Sequence, residues 1–280
     1  MGNFIVKKAS PLLEYLFYLF PERSRKDVKN LLAKRMIQVN GKIQTKFDYP
    51  LQLGDQLVVL SKKTSDLLDI IYEDKELLVI NKPSGLLSIA TDRQREKTAY
   101  HLVREYLRQK DPKAMVFVVH RLDQFTSGVL MFAKNEKIKN KLQESWNDIV
   151  SKRGYLAIVA GNVKADNKTI RSYLKETKTQ LVYSTKAKDG KLAITHYQVL
   201  KRKAGYSYLE VFLDTGRKNQ IRVHLKEMGN PIVGDNKYGA KTNPIGRLGL
   251  HSHILELKHP ITHQILHFEA KEPDVFHRLF

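Results

Sequence analysis

From residue 66 onward, short apolar runs of strand length alternate with polar turns, and this alternation constrains the fold more than any other feature of the sequence. Predicted strands far outnumber predicted helices, and many connections are short enough to be hairpins. The pattern therefore predicts an α+β fold built on a mixed, largely antiparallel sheet rather than a doubly wound parallel one. The predicted strands cover residues 70–72, 77–80, 116–119, 129–133, 154–159, 193–200, 206–213, 251–257 and 264–268, and the predicted helices lie near 98–108 and 136–146.

Positive charge is unevenly distributed and indicates a domain boundary. Residues 1–65 contain 12 Lys and Arg against 5 Asp and Glu, a net charge of +7, whereas the other 215 residues share the remaining +13. The charge per residue is therefore nearly twice as high in the first block. We place the boundary in the polar segment 61–65, so that residues 1–65 form one domain and residues 66–280 form the second.

The first block contains a helix with a recognisable start. Residues 24–27, Ser-Arg-Lys-Asp, fit a capping box. One apolar stripe follows at helical spacing and consists of Val28, Leu31, Leu32 and Met36. The cations Arg25, Lys26 and Lys29 fall largely off that stripe. Taken alone, a charge run of this kind favours a solvated helix face whose cations bind nothing.

A tight hairpin is predicted after this helix. Asn40-Gly41 joins the strand-like runs 37–39 and 42–44, and a further strand covers 56–60. In this order, the basic helix, the hairpin and Leu53-Gly54-Asp55 resemble the small S-four RNA-binding domain of ribosomal proteins and RNA-modifying enzymes. The resemblance covers roughly residues 11–60 and implies that Arg25, Lys26 and Lys29 contact RNA. The segment 11–15 departs from the basic-Leu-Asp start that is usual in that domain.

The composition indicates the class of partner. The 280-residue chain has a formal net charge of +20 and a pI near 9.8, which is typical of proteins that bind nucleic acid. No run approaches the ~18 consecutive apolar residues of a membrane-spanning helix, and we expect no membrane association. Cysteine is absent, which excludes disulfides, thiolate metal sites and cysteine nucleophiles and fits a cytoplasmic protein.

A polar turn at residues 120–128, His-Arg-Leu-Asp-Gln-Phe-Thr-Ser-Gly, lies between two apolar runs that each suit a buried strand. Asp123 is the lone acid of this turn. Functional residues tend to lie on such loops between rigid elements. An arbitrary Asp in a turn, however, more often bonds its own backbone, so the turn alone favours a structural role.

A second polar segment, residues 214–225, combines a predicted turn with several cationic side chains. Arg217, Arg222 and His224 cluster in a run that can begin a helix. Arginine can pair with a carboxylate or phosphate in bidentate fashion, which lysine cannot reproduce. A surface helix with scattered arginines explains this segment equally well when it is taken alone.

The sequence lacks the residues that several common enzyme chemistries require. Residues 234–239 match neither Gly-rich phosphate-binding pattern, and Leu122 is an insertion relative to a kinase catalytic loop. His251 and His253 are neighbours on one predicted strand face, but no third ligand is evident, so we expect no metal site. A nucleic-acid hydrolase would need a carboxylate cluster for metal, which the sequence does not offer.

Taken together, these segments resemble the RluA family of pseudouridine synthases. The residues from His120 to Gly128 are similar to the family's HRLDxxTSG motif, which is highly specific. The match spans about residues 70–270. The other matching segments are Asn81-Lys-Pro-Ser-Gly85, the strand 155–161 that begins with Tyr155, Gly216-Arg-Lys-Asn-Gln-Ile-Arg222, Gly234-Asp235, Tyr238-Gly239, Leu250-His251 and His259-Pro260.

The resemblance implies a reaction and a set of residues for it. A uracil would be detached from its ribose at nitrogen and rejoined through ring carbon 5, with no metal and no cofactor. Asp123 would be the essential carboxylate, Arg222 its partner, and Tyr155 the residue that stacks on uracil. Whether Asp123 attacks covalently or removes a ribose proton to give a glycal stays open. Further RNA contacts are expected from His120, Arg121, Thr126, Arg217 and Gln220, with Arg121 filling the space of a flipped base.

Two departures from the family pattern and one rival function remain. Asn219 stands where the family usually has His, and His253 stands where a small residue is common. The rival is a catalytically silent RNA-binding or ribosome-assembly protein, which has no need for Asp123, Tyr155 and Arg222 together. The combination with an S-four module implies ribosomal RNA of the large subunit as partner, with transfer RNA second, and we expect a monomer.

Overall fold

A computed structural model describes residues 2–60, 68–90, 98–186 and 189–280 of the chain. The chain divides into two compact units, Met1–Leu67 and Leu68–Phe280. The predicted boundary segment, residues 61–65, lies outside the described residues. No helix in the described ranges is long and apolar enough to cross a membrane.

The N-terminal unit is a small α/β structure in which β1, β6, β3 and β4 form an antiparallel sheet in that order. Its elements are β1 (Gly2–Ile5), β2 (Ser10–Pro11), α1 (Leu12–Leu19), α2 (Arg25–Ala33), β3 (Ile37–Val39), β4 (Lys42–Ile43), β5 (Pro50–Leu51) and β6 (Gln56–Val59). Strands β2 and β5 pair separately. Apolar residues of both helices and of the sheet share one core.

Local signals in the sequence account for the elements of this unit. The Ser24 hydroxyl accepts a hydrogen bond from the Asp27 amide and so caps α2, as the capping box predicts. At the hairpin, Asn40 and Gly41 both have positive φ, 50° and 78°, as a type I′ turn requires. The prediction was wrong for Met36, which lies beyond the end of α2 because the chain turns out of the helix at Arg35, where φ is 57°.

The second unit is built around an eleven-stranded sheet in its described part. Its strands are β7 (Ile70–Glu73), β8 (Leu77–Lys82), β9 (Phe117–Val118), β10 (Ser127–Ala133), β11 (Val150–Ala160), β12 (Asn167–Glu176), β13 (Val182–Thr185), β14 (Lys191–Lys203), β15 (Tyr206–Leu213), β16 (Leu250–Lys258) and β17 (Ile265–Glu269). Its helices are α3 (Ala99–Lys110), α4 (Glu136–Glu144), α5 (Trp146–Ile149) and α6 (Gln220–Glu227).

The order along the sheet is β13-β12-β14-β15-β11-β16-β10-β8-β7, with β17 added beside β16 and β9 beside β10. Strands β10 and β16 run parallel, whereas the other described pairs are antiparallel. The predicted mixed, largely antiparallel α+β fold is therefore confirmed. Strand β12 was missed because its side chains are largely exposed and polar, and β13 because it is only four residues long, so no apolar run marks either strand.

Two predicted elements differ in extent from the structure. The run 116–119 forms only a two-residue strand, β9, because it pairs with β10 at two positions before the chain leaves the sheet. The predicted helix over 136–146 is divided at Ser145 into α4 and α5. Both differences lie outside the turn that carries Asp123.

Strand β10 is the central support of that turn, and it is covered on both faces. Its residues alternate between two cores, one packed with α4 and the other with α3, which explains its continuous apolar run. At its start, Gly128 has φ +110°, and a Cβ added there would lie 2.0 Å from the Ser252 carbonyl oxygen. Only glycine permits β10 and β16 to approach so closely.

Candidate active site

The turn that carries Asp123 is held by the loop after β8. The Gly85 amide donates to the Gln124 carbonyl at 2.9 Å, and the Gln124 side-chain amide donates to the Gly85 carbonyl at 3.1 Å. Within the turn, the Thr126 amide donates to the Asp123 carbonyl at 3.1 Å. These bonds fix the backbone on both sides of the carboxylate.

A buried lysine links the same two loops. The Lys82 ammonium donates to the carbonyls of Pro83, Leu86 and Gln124 at 3.0, 2.7 and 3.0 Å, and its side chain is fully buried. Burial, followed by the charge of Arg247, lowers the pKa of Lys82 to about 7, while the charge of Asp123 acts in the opposite direction. Three carbonyl acceptors match the three donors of an ammonium, so the contact is complete only in the protonated form.

Arg222, on the first turn of α6, joins two carboxylates. Its Nη1 donates to Asp123 Oδ2 at 3.1 Å, while Nε and Nη2 each donate to one oxygen of Asp235 at 2.7 Å. The Asp235 side chain is fully buried, whereas 29% of the Asp123 side chain is exposed. Burial alone would lower the pKa of Arg222, but the bonds and charge of Asp235, and then of Asp123, raise it above its ordinary value. Arg222 is therefore a fixed cation with one anchored carboxylate and one open to the cavity.

Asn219 supports Arg222 from the N-terminal end of α6. It has φ 54° and ψ 19°, the left-handed conformation that Asn tolerates better than most residues. Its Oδ1 accepts from Arg222 Nη1 at 3.0 Å, and its Nδ2 donates to the Tyr238 hydroxyl at 2.9 Å. The Tyr238 ring lies beneath the guanidinium at 4.9 Å. The residue that departs from the family pattern thus contacts the Arg222 side chain directly.

Tyr155 lies on β11 and contributes to the same cavity as Asp123 and Arg222. Desolvation raises the pKa of Tyr155, the charge of Arg153 and the Ser252 hydroxyl lower it, and the charge of Asp123 raises it. The net direction is upward, so the phenol is protonated at neutral pH. Tyr155 therefore presents an uncharged phenol to the cavity.

The cavity has a volume of about 200 Å³. This is several times the roughly 30 Å³ that one water occupies in the liquid. Seven residues predicted from the sequence line it: Asp123, Tyr155, Arg222, Arg121, Thr126, Arg217 and Gln220. The structure therefore brings together residues that are up to 101 positions apart, from Arg121 to Arg222.

Two of these lining residues also make internal contacts. Gln220 Oε1 accepts from the Thr215 hydroxyl and the Arg217 amide, while its Nε2 donates to Ile194 and Thr195. The Arg217 Nε donates to the Leu192 carbonyl at 2.9 Å. Gln220 is 2% exposed, so its polar atoms are committed to the fold around the cavity.

His120 is not among the described residues that line this cavity. Its Nε2 accepts from the Met131 amide at 2.9 Å, and its ring lies 5.2 Å from that of Trp146. Burial, and then the charge of Arg153, lower the pKa of His120 to about 4, so the ring is neutral and can accept. Arg121 lines the cavity, whereas the adjacent His120 contacts β10. The sequence alone did not predict this difference.

The other histidines of the predicted segments are also engaged in the fold. His224 is fully buried between the hydroxyls of Ser172 and Thr195 at 2.9 Å each, away from the cavity. The His251 Nδ1 lies 2.8 Å from the Ser127 hydroxyl. Among the described residues, no group of three or more His, Asp or Glu side chains is arranged to hold a metal ion.

Two residues of the site were missed by the sequence analysis. Asp235 was part of a matching segment, but nothing in the sequence paired it with Arg222, thirteen positions earlier. Lys82 was likewise quoted only within a motif. Its place directly before Pro83, at the end of an apolar strand, was the available signal, because a lysine that continues a buried strand needs hydrogen-bond partners.

Comparison with known proteins assigns this site to a family. The sequence profile of the RNA pseudouridylate synthases matches residues 76–227. An uncharacterized RNA pseudouridine synthase of Bacillus subtilis, YlyB, is 35% identical over 90% of this chain and 86% of its own length. Ribosomal large subunit pseudouridine synthase C of Rickettsia bellii is 33% identical over 97% of both chains.

A solved structure agrees at the level of the fold. Human RNA pseudouridylate synthase domain containing 4 superposes with a TM-score of 0.63 at 24% identity, covering 75% of this chain and 92% of that one. The catalytically silent alternative is not favoured by these relationships. The fold, the matched profile and the full-length relatives together place the chain in the RluA family of RNA pseudouridine synthases, so it is an isomerase that acts on RNA.

Proposed function

We propose that this enzyme converts uridines of large-subunit ribosomal RNA to pseudouridine, with Asp123 as the reacting carboxylate, Arg222 as its partner and Tyr155 as the platform for the uracil. The single observation that carries the proposal is the hydrogen bond from Arg222 to Asp123 at the wall of a cavity that Tyr155 also lines. Transfer RNA is the second candidate substrate.

The proposed chemistry requires an ionised Asp123 beside the ribose. Arg222 supplies a permanent positive charge at 3.1 Å, and Asp235 holds that charge in place through two further bonds. The carboxylate either attacks the substrate covalently or removes a ribose proton to give a glycal. In both routes the bond from C1′ to N1 breaks and a bond from C1′ to C5 forms. The C5 proton is lost, and N1 gains one.

Tyr155 is proposed to act on the base rather than on the sugar. Its raised pKa keeps the phenol neutral, so the ring can stack on uracil without adding a second negative charge near Asp123. The hydroxyl is also a candidate for transfer of the C5 proton. Arg121, which is exposed on the turn, would occupy the space that a flipped uridine leaves in the RNA.

The N-terminal unit is proposed to be an S-four-type RNA-binding domain that ends within residues 61–65. Its exposed cations Arg25, Lys26 and Lys29 share the helix α2, whose apolar side is buried. Phosphate contacts of this type supply affinity without sequence reading. The relative from Rickettsia bellii is named for the large ribosomal subunit, which supports ribosomal RNA as the substrate. We further propose that the protein acts as a cytoplasmic monomer.

Mapping of pseudouridines tests this function. Total RNA is compared from cells that contain the protein, cells that lack it and cells that carry Asp123→Asn. The proposal expects a small set of large-subunit positions that are modified only in the presence of the intact protein. Sites confined to transfer RNA would replace the proposed substrate, and sites that persist with Asp123→Asn would overturn the proposed role of Asp123.

A further inference from the structure

Phe125, two residues after Asp123, exposes 55% of its surface to solvent. Single exposed apolar side chains are common on proteins and need no explanation by themselves. Ile265 on β17, for example, is 65% exposed. What distinguishes Phe125 is its position on the turn that carries the proposed reacting carboxylate.

The backbone around Phe125 is fixed from the opposite loop. The Ser84 hydroxyl donates to the Phe125 carbonyl at 2.7 Å. The preceding carbonyl, that of Gln124, accepts from both Lys82 and the Gly85 amide. The backbone that carries the ring is therefore fixed, and only the two side-chain torsions of Phe125 are left to be ordered. An aromatic side chain with two torsions on a fixed backbone loses little conformational entropy when a flat partner covers it.

Phe125 lines a second chamber that adjoins the reaction cavity. This chamber has a volume of about 740 Å³ and shares Arg121, Asp123 and Arg222 with the first. Phe125 borders the second chamber and not the first, whereas Tyr155 borders the first and not the second. A uracil stacked on Tyr155 would leave Phe125 uncovered, so this ring is available to a different part of the RNA.

The charges around the second chamber favour a nucleotide as the occupant. Its two carboxylates, Asp123 and Asp235, are both paired with Arg222. Arg121 lies on the shared wall and makes no hydrogen bond or ion pair within the part of the chain that the structure describes. Lys237 adds further positive charge, whereas Lys218 is paired with Glu176. An aromatic face beside unneutralised cations is the arrangement that binds an unpaired base and its phosphate.

We infer that Phe125 is a stacking platform for the unpaired base next to the target uridine, and that the second chamber holds this neighbouring nucleotide. The inference rests on the proposed action on RNA and adds a requirement to it. The substrate must offer two adjacent nucleotides that leave the helix together, as in a loop or bulge. Phe125 would then contribute to recognition and little to the chemical step.

A kinetic experiment with total RNA from cells that lack the protein tests this inference. Such RNA contains every natural substrate, so the test does not depend on which RNA is used. Initial rates of pseudouridine formation are measured against RNA concentration for wild type, Phe125→Ala, Phe125→Leu and Phe125→Trp. Ile265→Ala serves as the matched control, since it also removes an exposed apolar side chain but lies outside both chambers.

The expected result is a split between KM and kcat. Loss of one base–aromatic stack should raise KM by about 5- to 150-fold in Phe125→Ala, with most of kcat retained at saturating RNA. Phe125→Trp should keep a KM near that of wild type, and Phe125→Leu should not, because leucine keeps apolar volume without a flat π face. Ile265→Ala should behave as wild type.

A fluorescence measurement makes the contact visible. The wild type has a single tryptophan, Trp146, which packs against His120. In Phe125→Trp, the added emission should be quenched when RNA binds. A KM for Phe125→Ala equal to that of wild type would overturn the inference, as would equal rescue by leucine and tryptophan or an unquenched new tryptophan. Failure of the wild type to form pseudouridine would instead overturn the proposed function.

Discussion

Positive charge occurs in two contrasting surroundings in this protein. On α2, Arg25, Lys26 and Lys29 are exposed, and the two lysines have no ion-pair partner among the described residues. In the active-site unit, Arg222 is 11% exposed and donates four hydrogen bonds, to Asp123, Asn219 and Asp235. Exposed cations act through solvent, are screened by salt and add roughly independently. A buried, hydrogen-bonded cation acts through its position, so its exact geometry matters.

The largest effect is expected at the carboxylate that Arg222 orients. Asp123→Asn should lower the rate of pseudouridine formation by at least roughly 10³-fold, because the amide can neither attack nor take a proton. RNA affinity should stay within about twofold, since one carboxylate among many cations contributes little to phosphate binding. Single-turnover rates and equilibrium binding check both statements. Substantial activity in this variant would contradict the proposed chemistry.

The next effect is expected from the hydroxyl of Tyr155. Tyr155→Phe keeps the ring that stacks on uracil and removes the group proposed to move the C5 proton, which should cost about 10²-fold in kcat with little change in KM. Tyr183→Phe is a matched control, because that tyrosine is 40% exposed and lies outside the cavity. If Tyr155→Phe raised only KM, the residue would serve binding alone.

Replacement of Arg222 by lysine tests whether geometry matters beyond charge. Lysine cannot span both carboxylates with a planar group, so Arg222→Lys should lose one or two charged hydrogen bonds and about 10- to 100-fold in kcat. Arg202→Lys is the control: it pairs with Asp166, whose side chain is 77% exposed, and should have no effect on the rate. Normal turnover by Arg222→Lys would mean that charge alone suffices.

Asp235→Asn should affect stability as much as activity. It leaves the Arg222 guanidinium without its fully buried partner, and removing one partner of a buried pair costs about 3 to 5 kcal/mol. Chemical denaturation monitored by circular dichroism measures the loss, with Asp166→Asn as an exposed control that should change stability by less than about 0.5 kcal/mol. A variant as stable as wild type would show that Asp235 does not anchor the arginine.

The smallest effect on the chemical step is expected from the exposed cations of α2. Replacing Arg25, Lys26 and Lys29 together with Gln should flatten the log–log salt dependence of RNA binding by about 2 to 3, because each lost phosphate contact removes roughly 0.7 to 0.9. The rate at saturating RNA should stay within about twofold. Replacing Lys113, Lys137 and Lys258, which are exposed on the other unit, is the matched control. A slope as steep as that of wild type in the α2 variant would mean that α2 does not contact RNA.

Features of the fold that depend on local chemistry could be predicted from the sequence, whereas features without a local signal could not. The cap at Ser24 and the hairpin at Asn40-Gly41 follow from local chemistry, because both partners lie within a few residues. The mixed sheet could also be predicted, because runs of neighbouring apolar residues mark most of its strands. Strands β12 and β13 carry no such run and were missed.

The main residues of the candidate site could be predicted from the sequence, but their tertiary hydrogen-bond partners could not. The motif segments indicated Asp123, Tyr155 and Arg222, but the anchoring role of Asp235 depends on a tertiary contact that no local pattern encodes. His120 was expected at the substrate, yet its ring accepts from the Met131 amide. Arg121 lines the cavity and the adjacent His120 does not. This difference depends on the path of the backbone in the folded turn.

The separation of recognition from reaction is tested most directly by measuring binding and chemistry on the same RNA for four proteins: wild type, Asp123→Asn, the triple α2 variant and their combination. We expect Asp123→Asn to lose only the single-turnover rate and the triple variant to lose only affinity and salt dependence. The two losses should add in the combination. A triple variant with a slow chemical step at saturating RNA, or an Asp123→Asn protein with a flattened salt slope, would contradict the separation of recognition from reaction.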